Sequence, residues 1–162
     1  MKTLSHLDEK GQARMVDVTS KPVTHRQATA RGRVLMRPET AALIQEGGLP
    51  KGDVFSTARI AGIMAAKKTP DLIPMCHPLE MTAIELSFSI DIAAGEVVIE
   101  AKAGMVGRTG IEMEAMTAVS VAALTIYDMC KAVDREMVLA DIKLISKEGG
   151  KSGVFIRSDE KS

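Results

Sequence analysis

Residues 110–133, GIEMEAMTAVSVAALTIYDMCKAV, decide the fold. The stretch reads as one long helix. Ala115, Met116, Ala118, Val119, Val121, Ala122, Ala123, Leu124 and Ile126 leave no polar stripe, only the small hydroxyls of Ser and Thr. A helix apolar on every side is buried on every side. Yet Glu112 and Glu114 stand at its start, and Asp128 and Lys131 at its end. Charges at the two tips of a buried rod imply two polar pockets, or one pocket built by two chains.

Carboxylates in a first helical turn suit the positive end of the helix dipole, and a lysine in the last turn suits the negative end. Capping therefore accounts for Glu112, Glu114 and Lys131 as well as chemistry does. Asp128 is harder to explain, because its charge is disfavoured near that negative end. Two readings remain for it: an ion pair with Lys131, three residues on, or a carboxylate placed for chemistry. Glu112 and Asp128 lie roughly 24 Å apart along the axis, at about 1.5 Å per residue. One small-molecule site can use both only if two copies of the helix lie antiparallel across a two-fold axis. Oligomerisation would also bury the second face of the rod.

Working outward, residues 1–25 form a polar arm in which 15–18, MVDV, is a short extended candidate. Lys21, His25 and Arg26 give the arm a cationic end. Residues 28–36 alternate as a strand, and Pro38 opens a short helix stopped by Gly47-Gly48. Asp53 is a good cap for a second helix over 54–68. Residues 70–78, PDLIPMCHP, carry three of the six prolines and read as a stiff, irregular loop. A hairpin comes next (82–92 and 96–105), then the long helix, then a last strand over 137–146. The order β-α-β-β-α-β, with one extra short helix, predicts an α+β ferredoxin-like domain. Its antiparallel sheet carries two main helices on one face, and the other face needs cover from the arm or another subunit. The expected layout is an arm (1–25), one catalytic domain (26–148) and a flexible, glycine- and charge-rich tail (149–162).

The 162 residues suit a single domain with a real core. Apolar residues make up 46%, aromatics 2%, and the net charge is zero. With neither a basic excess nor stacking platforms, nucleic acid is not an expected partner. Cys76 and Cys130 form no C-x-x-C motif, which fits a reducing compartment. The N-terminus lacks a signal-peptide core, and no apolar run reaches the roughly 18 residues of a spanning helix once Ser and Thr are counted. No membrane partner and a cytoplasmic location are expected.

Gly150-Lys151-Ser152 resembles the end of a P-loop, but position 145, where that motif needs glycine, is Ile. Lys147 and Lys151 could still neutralise a phosphate as point charges. His77 beside Cys76 is too small a set for zinc, so a hydrogen-bonding or proton-handling histidine is the stronger reading and no metal site is expected. Lys51, in a turn at a helix start, is either a solvated lysine or a substrate contact. The whole inventory suits acid/base chemistry on an anionic small molecule without naming it.

Four stretches carry a resemblance: 15–18 (MVDV), 51–79 (KGDVFSTARIAGIMAAKKTPDLIPMCHPL), 109–133 (TGIEMEAMTAVSVAALTIYDMCKAV) and 147–153 (KEGGKSG). In this order they closely resemble the cyclic pyranopterin monophosphate synthase family of molybdenum cofactor biosynthesis, over nearly the whole chain. The resemblance implies a lyase that converts (8S)-3',8-cyclo-7,8-dihydroguanosine 5'-triphosphate to cyclic pyranopterin monophosphate and diphosphate. It implies a homohexamer, a trimer of dimers with sites at the dimer interface. By motif, Asp128 is the expected catalytic residue, with Lys131 beside it and Lys51 in the same pocket. Met75, Cys76 and His77, and Met113 with Glu114, match substrate-binding segments. In the mechanism this suggests, Asp128 and Lys131 exchange protons, and Glu112 or Glu114 of a partner chain holds the guanine-derived NH groups. Lys51, Lys147, Lys151 and Arg26 hold the triphosphate. No cofactor is expected, although magnesium could accompany the phosphates. The alternative is a non-catalytic, oligomeric ligand-binding module of the same fold, since fold does not fix function; a purely structural assembly protein is a third reading.

Overall fold

The structure is a computed structural model that describes residue 8 and residues 10–160. In chain order the elements are β1 (Thr24–Leu35), α1 (Pro38–Glu46), α2 (Val54–Lys67), α3 (Thr69–Leu72), β2 (Ala83–Asp91), β3 (Glu96–Gly107), α4 (Glu112–Cys130), β4 (Val138–Glu148) and β5 (Phe155–Ile156), closed by a 3-10 turn at Ser158–Glu160. The sheet is antiparallel throughout, in the order β2-β3-β1-β4-β5. With α2 and α4 on one face, this is the expected ferredoxin-like α+β arrangement.

Alternation on β1 sets the two faces. Ala28, Ala30 and Val34 are buried toward the helices, and Thr29, Arg31 and Arg33 point the other way. The strand begins earlier than the apolar alternation suggests because Arg26 occupies an inward position, where a charged residue hides the pattern. The helix layer meets the sheet through small side chains: Ala115, Ala118, Val119, Ala122, Ala123 and Ile126 of α4 are fully buried. Helix α2 starts where Asp53 caps it, its carboxylate accepting from the Ser56 amide at 3.0 Å. Helix α1 has no side-chain cap of its own. Asp134 supplies one from across the fold, accepting from the Arg37 amide (3.0 Å) and the Thr40 hydroxyl (3.1 Å).

Five expectations need correction. Helix α4 is not buried on every side: Leu124 is 58% exposed, and Ser120 and Val121 are only half-buried. The described chain has no further element to lay over that side. At 19 residues α4 is also long and apolar enough to cross a membrane by length and composition, although just over half of it is buried within the chain, as in a core helix. The proline-rich loop opens with a helical turn, α3, whose first turn holds Pro70, a position where the missing N–H is not needed. The far face of the sheet is polar and asks for no apolar cover. Arg31 pairs with Glu100 (2.9 Å) and Glu160 (2.7 Å), Arg33 with Glu96 and Asp141, and Lys143 with Asp159 (2.9 Å). Those partners also show that the segment expected to be a flexible tail, 149–162, returns to the sheet through β5, so far as it is described.

Strand β4 carries two irregularities. Its register against β1 shifts at Asp141, which has φ 52°, and again at Ile145, which has no partner between Leu144 (opposite Ala30) and Ser146 (opposite Thr29). Beyond the second shift Lys147 stands opposite Ala28 and so faces the helices, whereas Lys143, opposite Arg31, faces away.

Candidate active site

Two clusters of functional side chains flank α4, one at each tip. At the N-terminal tip, the 75–77 segment, the loop into α4 and the arm enclose a cleft of about 510 Å³. Met75, Cys76, His77, Glu112, Met113 and Glu114 all line it, together with Val16, Val18 and Lys21 of the arm. Two hydrogen bonds lay the arm across this end. His77 Nε2 donates to the Val16 carbonyl (2.8 Å), and Arg108 donates to the Thr19 carbonyl (2.6 Å). Val16 lies within the 15–18 stretch that the sequence marks as extended; it has no regular ladder and is held by His77 instead.

A second cleft of about 710 Å³ opens beside the first and shares Lys21, Thr109, Gly110 and Glu112 with it. Five cations line it: Lys21, Arg26, Arg108, Lys147 and Lys151. Glu112 is its one carboxylate, paired with Lys147 at 2.6 Å. The remaining positive charge suits the cleft to a polyanion. Lys147 reaches it because of the register shift at Ile145. Lys151 reaches it because the chain turns sharply at Gly149 and Gly150, with φ 97° and 73°. A Cβ at Gly149 would fall on the His25 carbonyl, and one at Gly150 on the Arg26 guanidinium. Arg26 itself is buried and donates to the Gly107 (3.3 Å) and Gly149 (3.1 Å) carbonyls, fastening the loops on both sides of the cleft.

Glu114 is 3% exposed. Burial raises its pKa; its own backbone opposes the shift and the nearby Glu112 charge adds to it. No cation pairs with it among the described residues, so its carboxylate faces the cleft as a free acceptor or as an acid. The Cys76 thiol is likewise pushed up, by burial first and then by Glu114 and Glu112, which suits packing against a ligand better than nucleophilic attack.

At the C-terminal tip Asp128 sits between two lysines. Lys131 approaches one carboxylate oxygen at 2.7 Å and Lys51 the other at 2.8 Å; Lys51 also donates to the Asp128 carbonyl at 3.0 Å. These bonds, that of Lys131 first, lower the Asp128 pKa to about 2. All three side chains are about half exposed, so the group is open to a ligand.

The structure thus gathers nine of the twelve expected residues at one tip (Arg26, Met75, Cys76, His77, Glu112, Met113, Glu114, Lys147 and Lys151) and Lys51, Asp128 and Lys131 at the other. Within one chain Lys51 belongs with Asp128, not with the other phosphate-binding candidates, because the turn that carries it lies against the end of α4. Lys21 and Arg108 are the cations that sequence reading does not single out for the site. Single charges in an irregular arm and loop have no periodicity, and only the fold shows that they converge. Among the described residues, no three His, Cys, Asp or Glu side chains gather in a way that could hold a metal ion.

Known proteins resemble the chain along its whole length. A protein of Pelotomaculum thermopropionicum named cyclic pyranopterin monophosphate synthase is 61% identical over 162 residues, covering 100% of this chain and 95% of its own. Proteins of the same name from Roseiflexus sp. (61% identical; 96% of this chain, 99% of its own) and Parvibaculum lavamentivorans (62%; 95% and 96%) match almost as completely. Residues 15–150, which include both tips of α4, match the MoaC family. The chain belongs to the MoaC family.

Proposed function

We propose that this chain is a lyase of molybdenum cofactor biosynthesis that converts (8S)-3',8-cyclo-7,8-dihydroguanosine 5'-triphosphate to cyclic pyranopterin monophosphate with release of diphosphate. The observation that carries the reading is the split of the site: a polyanion cleft and carboxylate acceptors at one tip of α4, and an exposed Lys51–Asp128–Lys131 group at the other. Two chains related by a two-fold axis through the open face of α4 would bring one tip of each together. Leu124 on α4 and Ile60 and Met64 on α2 are exposed apolar side chains available to that contact. A homohexamer built as a trimer of such dimers, in the cytoplasm, is the assembly we favour.

In this reading the five cations of the cleft bind the triphosphate and stabilise the departing diphosphate. Glu112 and Glu114 accept from the NH groups of the guanine-derived ring. Glu114 is already desolvated for that task, and Met75, Cys76 and Met113 pack on the ring. Asp128 from the second copy is ionised in the free protein but, with a pKa of about 2, is a weak base. A phosphate that draws Lys51 or Lys131 away would remove one of the bonds that depress it, raising its basicity as the substrate arrives. Lys131 or Lys51 then returns the proton. The chain needs no resident cofactor here, and any magnesium would enter with the triphosphate as its counter-ion.

A non-catalytic ligand-binding module would leave the Lys51–Asp128–Lys131 group without a task. The test is to incubate the protein with enzymatically made cyclic dihydro-GTP and follow both diphosphate and the pterin product. Release of both by the unaltered chain, lost in Asp128→Ala, supports the reading. Tight binding of the substrate without turnover would overturn it in favour of the module.

A further inference from the structure

We infer that residues 154–160 form a clasp that holds Lys151 over the cation-lined cleft, so that Asp159 and Glu160, on the far side of the sheet, are positioning residues for the substrate's phosphates. The inference rests on the reading of that cleft as the triphosphate site.

The loop carrying Lys151 is fixed at its leading end, where Gly149 meets Arg26. Its trailing end depends on how residues 154–160 are anchored. Strand β5 is two residues long and pairs only at Ser146–Ile156 and Lys147–Phe155. A ladder that short cannot hold a segment by itself. Apolar burial adds little, because Val154, Phe155 and Ile156 are all exposed. The segment is held instead by polar contacts to neighbouring strands. The Arg157 amide donates to the Ile145 carbonyl at 2.9 Å and its side chain to the Leu144 carbonyl at 3.2 Å. Glu160 then pairs with Arg31, and Asp159 with Lys143. Arg31 is in turn braced by Glu100 on β3. The ion pairs thus tie the chain end to β1 and β4, the strands that present Arg26 and Lys147 to the cleft from their other face. The same two strands carry substrate-facing cations on one side and the clasp on the other.

Five full-length proteins test this with cyclic dihydro-GTP as substrate: wild type, Lys151→Ala, Asp159→Asn/Glu160→Gln, all three changes together, and the charge-keeping Asp159→Glu/Glu160→Asp. Lys151→Ala is expected to raise KM about tenfold, as loss of one charge-assisted phosphate contact. Neutralising Asp159 and Glu160 is expected to raise KM about two- to fivefold with kcat unchanged, the scale of two partly exposed ion pairs. The triple variant should be no worse than Lys151→Ala alone, since the clasp acts through Lys151. Asp159→Glu/Glu160→Asp, which keeps the charges, should restore most of the affinity. An unchanged KM in Asp159→Asn/Glu160→Gln, beside a raised one in Lys151→Ala, overturns the clasp and leaves the phosphate site standing. Independent, multiplying effects also overturn it. A neutral Lys151→Ala removes the phosphate role of Lys151, and the clasp with it.

Discussion

Asp128 and Asp134 are nearly neighbours in sequence and opposite in use. Asp134 is buried and fully engaged: two backbone amides and the Thr40 hydroxyl donate to it. Burial alone would raise its pKa, but the Arg37 and Glu136 amides and Thr40 more than offset this, and its pKa is lowered. Asp134→Ala should therefore cost about 1–3 kcal/mol of stability by uncapping α1 and leaving buried donors unpaired. A lowered folded pKa means that this stabilisation is complete above about pH 4, the unfolded value, and fades as pH falls through the lower folded one. Urea melts of wild type and Asp134→Ala should differ at pH 7 and converge in acid. Asp128 is exposed, so Asp128→Ala should leave the circular dichroism spectrum and melting unchanged while kcat falls at least about a thousandfold, within the range of a lost general base; retained turnover would assign catalysis elsewhere. Glu114 has the opposite sign from Asp134. Its raised pKa makes the folded chain bind a proton more tightly than the unfolded one, so stability declines as pH rises between the two values. Glu114→Gln should thus gain Tm relative to wild type progressively as pH rises from about 4, the ordinary carboxylate value, at the expense of substrate affinity.

At the scale of elements, the helices and central strands are legible because burial dictates their sequence. The cap at Asp53, the alternation in β2 and β3 and the alanine-rich face of α4 each follow from one-dimensional patterns. What the pattern hides is where a polar residue stands inside or an apolar one outside: Arg26 inward at the start of β1, and Leu124 outward on α4. The cation-lined cleft is hidden for a related reason, since Lys21, Arg108 and Lys151 converge from three loops that share no period. Family resemblance singles out Asp128 and the 75–77 segment; physical reading alone reaches only an odd aspartate and a stiff loop. Close helix packing offers a direct check. Gly62 on α2 lies against α4 and β2, and a Cβ there would stand 2.5 Å from a Leu86 methyl and 3.0 Å from the Ala118 carbonyl. Gly62→Ala is expected to destabilise by about 1–3 kcal/mol, despite alanine's better helix propensity, as thermal or denaturant melts would show. A gain in stability would mean that the helices can separate at no cost.

For the whole molecule, the two tips of α4 lie roughly 24 Å apart at about 1.5 Å per residue, so the proposed two-chain site makes activity depend on assembly. Leu124→Glu should lower the mass of the proposed assembly by light scattering and lose turnover together with the two-chain contact. Mixing Asp128→Ala with Lys147→Ala/Lys151→Ala under exchange conditions, at a substrate concentration where neither alone turns over, should recover about a quarter of wild-type activity, because half of random dimers are mixed and each of those holds one intact composite site. No recovery would place all three residues in a site made by one chain. Ile145 has no partner on β1, which gives β4 a tolerance in register there. Excising that one residue leaves Ser146 opposite Thr29 and Lys147 opposite Ala28, so the ammonium should still enter the cleft, while the lost buried side chain and the lost acceptor for the Arg157 amide should lower Tm. Inserting a single alanine after Ser146 would roll Lys147 onto the outer surface, opposite Gln27. A missing residue and a surplus one, side by side in the gene, would have opposite fates.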